Sequence, residues 1–210
     1  AVGGRERELP RGRLAHARGQ LALAREHFQR SGDRGGLSRV DCAAGALQLE
    51  QPDGQVVARG LLEASLSTSR EFGDLDAAGW AHGYLGLLAV ELNEHESADQ
   101  HFGGAAYAHR RTSRLGAALV VGQMGILELK RGRSAIAERR LTDCCRALSA
   151  LHSPFELSLF NTYRALTLLV RGDVPAALKA LDAHRPTPEF VAPCAVATYV
   201  RHLAEGGQAP

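Results

Sequence analysis

The chain has 210 residues, 45% apolar but only 5% aromatic, with a formal net charge of +2. That length suffices for one domain whose core is built from small and aliphatic side chains. The near-neutral charge points to no special class of partner. No apolar run reaches the roughly 18 residues of a membrane-spanning helix, and no signal peptide opens the chain, so a membrane partner is not expected.

In chain order the sequence predicts helix after helix, with no stretch alternating at period two long enough for a strand. The first helices of successive hairpins are expected at about 5–18, 35–50, 74–92, 113–131 and 154–171. Their partners are expected at about 20–31, 54–71, 94–110, 133–151 and 173–184. The punctuation between partners is Gly19-Gln20, Pro52-Asp53-Gly54, Asn93-Glu94, Arg131-Gly132-Arg133 and Arg171-Gly172-Asp173. Each reads as a short turn with a helix-ending Gly or a polar capping residue. Asp33, Asp74, Ser113 and Ser153 are natural N-caps between hairpins, and Pro154 and Pro175 suit first helical turns. A last helix, about 188–204, follows Pro186 and Pro188 and is expected to cap the final hairpin.

A register runs through these elements. Ala24, Ala58, Ala98, Ala137 and Ala177 fall 34, 40, 39 and 40 residues apart. A large apolar residue stands four after each: Phe28, Leu62, Phe102, Leu141 and Leu181. Twelve before each alanine stands a small residue: Gly12, Ala46, Gly86, Gly125 and Ala165. Small residues in phase let the two helices of a hairpin approach closely. Periods of this length mean stacked helical hairpins. The expected fold is therefore all-α: a right-handed α-solenoid of about five hairpins (5–31, 35–71, 74–110, 113–151, 154–184) plus a capping helix at 188–204, in a single domain spanning 1–210.

Small residue, alanine twelve later, large apolar residue, small residue: this pattern resembles the tetratricopeptide repeat over essentially the whole chain. The best copies run from Tyr84-Leu85-Gly86 through Ala98 and Phe102 to Ala105, and from Met124-Gly125 through Ala137 and Leu141 to Cys144. The family's large aromatic near each hairpin start is absent or shifted, with only Trp80 close, and Ala89 and Glu128 stand where its tyrosine belongs. The forty-residue copies are similar to the helical-repeat segments of large bacterial LuxR-type and antibiotic-regulator ATPases. That resemblance implies an effector-sensing or partner-docking segment of a transcriptional regulator. No G-x-x-x-x-G-K-[ST] motif is present.

The first helices of stacked hairpins usually line a concave face. The groove candidates are Trp80, Tyr84 and Leu87, then Gln123, Ile126 and Lys130, then Tyr163 and Leu166. Ala43, Leu47 and Glu50 extend the set. The central positions Leu47, Leu87, Ile126 and Leu166 argue against a clamp for a peptide carboxylate. Such a surface suits a hydrophobic small-molecule effector or the amphipathic helix of a protein partner, the latter being the work of a free-standing adaptor. The same side chains would also serve to pack hairpins on one another.

No catalytic set emerges, and neither does a cofactor motif. The groove's titratable groups are mainly tyrosines, Glu50, Glu91 and Lys130, so an enzyme is the least expected reading. His95 and Asp99 share a helix face, but His101 falls off it, so no metal site is expected. Arg110, Arg111 and Arg114 precede Arg131, Arg133, Arg139 and Arg140, yet Glu128 and Glu138 interrupt them and aromatic interleaving is missing. Direct nucleic-acid binding is therefore not expected. Cys42, Cys144, Cys145 and Cys194 lack C-x-x-C spacing and read as buried reduced thiols, which fits the cytoplasm. Arginine dominates the basic residues, with only Lys130 and Lys179 as lysines, as in a GC-rich bacterial genome. Both ends read as linkers, and a segment of a longer protein is the expectation.

Overall fold

The computed structural model describes residues 5–183, 198, 200–204 and 206. Among them all regular structure is helical, in the order α1 (Arg5–Ser31), α2 (Arg34–Leu49), α3 (Gln55–Phe72), α4 (Leu75–Glu91), α5 (His95–Thr112), α6 (Arg114–Lys130), α7 (Ser134–Ala150), α8 (Pro154–Val170) and α9 (Val174–Ala183). The chain forms two compact units, Ala1–Thr112 and Ser113–Pro210. Within the first, α2 pairs with α3 and α4 with α5, and α4 packs on both α2 and α3. Within the second, α6 pairs with α7 and α8 with α9, and α8 packs on both α6 and α7. This side-by-side stacking of successive hairpins is the construction of an α-solenoid.

The alanine register is the seam of each hairpin. Ala58, Ala98, Ala137 and Ala177 are all fully buried, and so are Leu62, Phe102 and Leu141. A methyl added to Gly86 would stand 2.4 Å from Phe102 Cε1, and one added to Gly125 would stand 2.8 Å from Leu141 Cγ. The fit in the α2–α3 hairpin differs from expectation by one residue. There Gly45, not Ala46, faces Leu62, at 2.7 Å from an added methyl. The connection between α2 and α3 is longer than those of the later hairpins, and counting back through it displaces the register.

The first expected hairpin does not form. Residues 5–31 are one helix, with no turn at Gly19-Gln20. A single glycine inside a helix costs only about 1 kcal/mol against alanine. Here Ala15, Ala17, Leu21, Ala22 and Ala24 surround it, and no proline follows to end the helix. Ala24 and Phe28 therefore lie on the same helix as Gly12. Phe28 packs instead on Gly36 of α2, where an added methyl would stand 2.4 Å from its ring. The described residues thus hold four hairpins behind one long helix.

The caps follow the sequence with one exception. Asp33 accepts from the Gly36 amide at 2.8 Å, Asp74 from Ala77 at 3.1 Å and Ser113 from Gly116 at 2.9 Å. Ser153 occupies the N-cap of α8 without a side-chain capping bond. Of the expected capping helix, residues 198 and 200–204 are helical. Val200 is fully buried against Ala165, Leu168, Ala177 and Leu181. The remainder of that helix, and Cys194, lie outside the described residues.

Candidate functional site

The first unit holds an open cleft of about 400 Å³ between α2 and α4, lined by Arg39, Cys42, Ala43, Asp76, Ala77, Trp80 and Tyr84. Helical spacing builds it. Asp76, Trp80 and Tyr84 succeed one another at four-residue steps on α4, and Arg39 and Ala43 do the same on α2, so each set forms one stripe. The indole and phenol rings of Trp80 and Tyr84 lie 6.4 Å apart at a 30° tilt and form a continuous aromatic wall.

The floor is buried. Cys42 is buried, and burial pushes its thiol up to about 12, against the opposing effect of a hydrogen bond with Ser65. Cys42 is therefore a neutral thiol near pH 7, not a nucleophile. Burial, reinforced by the neighbouring Cys42, also raises the Tyr84 phenol. Beside this floor, Ser38 donates to the Ser65 carbonyl at 2.9 Å, and its hydroxyl meets those of Ser65 at 3.2 Å and Ser69 at 2.9 Å. All three serines are buried. Buried hydroxyls that satisfy one another fix the spacing of α2 and α3.

The mouth is charged. Arg39 donates from Nε and Nη2 to Asp74 Oδ2 at 3.1 and 2.8 Å. This pairing lifts the guanidinium further above its ordinary value. Asp76 is left facing His109, whose Nδ1 lies 3.9 Å from its Oδ1. His109 is 2% exposed, and its ring meets Trp80 edge to face at 4.8 Å. Burial lowers the His109 pKa, with Asp76 and then a backbone contact to Gly79 pulling the other way. Gly79 makes room for it, because a methyl there would stand 2.7 Å from His109 Cε1.

Of the groove residues expected from sequence, Trp80 and Tyr84 line this cleft, whereas Leu87, half-buried on the same helix, does not. Ala43 lines it too, Leu47 lines a separate hollow with Leu21 and Val40, Glu50 is exposed at the C-cap of α2, and the remaining candidates belong to the second unit. There Ile126 and Tyr163 pack against the cluster around Leu141, Cys144, Leu148 and Phe160. Leu166 packs against that around Ala165 and Leu181. Gln123 is half-buried and Lys130 is exposed. Arg39, Cys42 and Asp76 were missed as site residues. The signal for Asp76 was faint: an acid two residues after an N-cap usually only complements the helix dipole.

Two other polar clusters are visible only in three dimensions. His82 Nδ1 lies 3.0 Å from His101 Nδ1, and Arg70 Nη2 lies 3.1 Å from His82 Nε2. A guanidinium can only donate, so His82 accepts at Nε2 and its Nδ1–H donates to His101. Glu128, read as an interruption of a basic edge, is 6% exposed and meets Arg131 and Arg133 at 3.4 Å each. Among the described residues no three His, Cys, Asp or Glu side chains gather as metal ligands. None of the described helices is long and apolar enough to cross a membrane.

No family model matches the chain, and no curated protein matches it. Among solved structures it is similar to BtubC (BKLC) from P. vanneervenii, with a TM-score of 0.67 and 18% identity over 95% of this chain and 79% of that one. At that identity the likeness concerns the fold, an all-α arrangement of helical hairpins.

Proposed function

We propose that this chain is a non-catalytic binding module of the tetratricopeptide-repeat kind whose ligand, a small molecule with an apolar body, occupies the α2–α4 cleft. The observation that carries the reading is the cleft itself. Its volume of about 400 Å³ lies within the roughly 300–1,000 Å³ of small-molecule pockets. Its wall is aromatic, and its one thiol is held neutral. Binding rather than chemistry suits this set, because the cleft brings no general base to a nucleophile.

The larger setting rests on the resemblance to helical-repeat segments of bacterial regulators. In that setting the module senses an effector, or docks a partner, for a transcriptional regulator in the cytoplasm. The cleft lies between first helices of successive hairpins, so an occupant sets their separation. A ligand that prefers one separation shifts the population of the solenoid toward it.

Native mass spectrometry of the chain purified from its own host tests the reading. A small molecule retained by the wild type and lost from Ala43→Trp, which fills the cleft from an exposed position, supports it. An apo mass for the wild type, or equal retention by the variant, contradicts it.

A further inference from the structure

Among the described residues the cleft is lined by one cation, Arg39, and one carboxylate, Asp76, and the cation is already engaged elsewhere. Its guanidinium interacts with three carboxylates, Asp74, Asp76 and Asp33. Asp74 takes the direct bidentate contact. Asp33 caps α2 through the Gly36 amide. Asp76 has neither a guanidinium contact nor a capping bond: the Ala77 amide is capped by Asp74. Its carboxylate lines the cleft at 48% side-chain exposure.

A second observation points to the same place. His109 Nδ1 is buried and makes no hydrogen bond of ordinary geometry: its ring has a weaker contact with the Gly79 backbone and faces the Asp76 carboxylate at a distance too long for a hydrogen bond. A buried polar atom so loosely satisfied calls for an explanation. The imidazole is wedged between Gly79 and the Trp80 ring. It thereby braces the indole that lines the cleft.

Building on the small-molecule reading above, we propose that the α2–α4 cleft binds an aryl-alkyl amine, with the ammonium on Asp76 and the flat apolar body against Trp80 and Tyr84. An ammonium at that point completes the charge of Asp76 and lies beside an indole face, which attracts cations when they are desolvated. An anionic ligand of the same shape would meet the Asp76 carboxylate, while the Arg39 guanidinium is already paired with Asp74. The buried Cys42 and the half-buried Tyr84 ring offer an aromatic or aliphatic group an apolar seat.

Trp80 is the only tryptophan of the chain, so its fluorescence reports this site alone. The probes are phenethylamine, its carboxylate counterpart phenylacetate, and N-acetyl-lysine methylamide as a stand-in for a peptide side chain. The expected result is a saturable change with phenethylamine at least tenfold tighter than with the other two. Asp76→Asn should weaken phenethylamine tenfold or more, and Asp76→Glu should restore most of the loss. Circular dichroism of both variants checks that the helices persist. Phenylacetate binding as tightly as phenethylamine, or affinity unchanged in Asp76→Asn, overturns the charge assignment. Tighter binding of the lysine derivative overturns the small-molecule class, and no response to phenethylamine overturns the proposal. In each of these cases a native adduct still displaced by Ala43→Trp leaves the small-molecule reading standing, whereas its absence removes both.

Discussion

The Trp80 indole and the His109 imidazole meet edge to face, with ring centroids 4.8 Å apart. This contact joins the two helices of one hairpin to the wall of the cleft. It exists because position 79 carries no side chain. Gly79→Ala should push the imidazole aside and cost about 1–3 kcal/mol as an overpacked contact. The blue-shifted emission of a half-buried Trp80 should move to the red, and a denaturation series read by fluorescence checks both effects.

A paired substitution tests the register. Gly86→Ala, which meets Phe102 inside the hairpin, should destabilise by about 1–3 kcal/mol. Gly103→Ala lies on an exposed position of α5 with open space around it. It should stabilise by roughly 0.5–1 kcal/mol through helix propensity. Urea midpoints of the two variants should therefore move in opposite directions, and a shared direction would count against the seam described above.

That seam was legible because an alanine and a large apolar residue four positions later recur at every hairpin turn. Its limits were equally physical. Gly19 looked like punctuation, yet one glycine among alanines and leucines does not stop a helix. Ala46 looked like the contact residue, yet the longer α2–α3 connection hands that place to Gly45. Tyr84 and Trp80 could be found as groove residues from their spacing. Asp76 could not, because its distinctive partner, His109, sits on the following helix, and its own position reads as a routine first-turn acid.

Acid should weaken the first unit through its histidine pair. Burial, then the neighbouring His101 and Arg70, hold the His82 pKa down at about 4. Burial and Arg59 lower that of His101, while Glu63 and Glu94 oppose the shift. The unfolded chain therefore binds more protons than the folded one below the ordinary histidine value of about 6.5. Stability is full above that value and falls as pH drops toward about 4. The urea midpoint should be lower at pH 5 than at pH 7, and His82→Gln, which keeps an acceptor for Arg70, should flatten the difference.

Glu128 should behave as a buried anchor. Its carboxylate sits between Arg131 and Arg133 at 6% exposure. Glu128→Ala removes the acceptor that both guanidiniums share and should cost about 1–3 kcal/mol. Glu128→Gln, which retains an acceptor oxygen, should cost less. Equal midpoints for the wild type and Glu128→Ala would show that the 3.4 Å contacts contribute nothing.

The buried thiols should resist modification. Burial pushes Cys42 up to about 12 and Cys145 up to about 11, and it raises Cys144 as well. Maleimide labelling at pH 7, mapped by peptide mass spectrometry, should leave all three unmodified in the native chain and modify all three in urea.

The central claim is that ligand binding belongs to the cleft between α2 and α4. Hydrogen–deuterium exchange of the chain, with and without the small-molecule extract of its host cells, tests it most directly. The account predicts slowed exchange confined to about residues 37–48 and 75–88, the stretches that carry the cleft, and its loss in Ala43→Trp. Slowed exchange centred instead on α6 and α8, or no change anywhere in the chain, would contradict it.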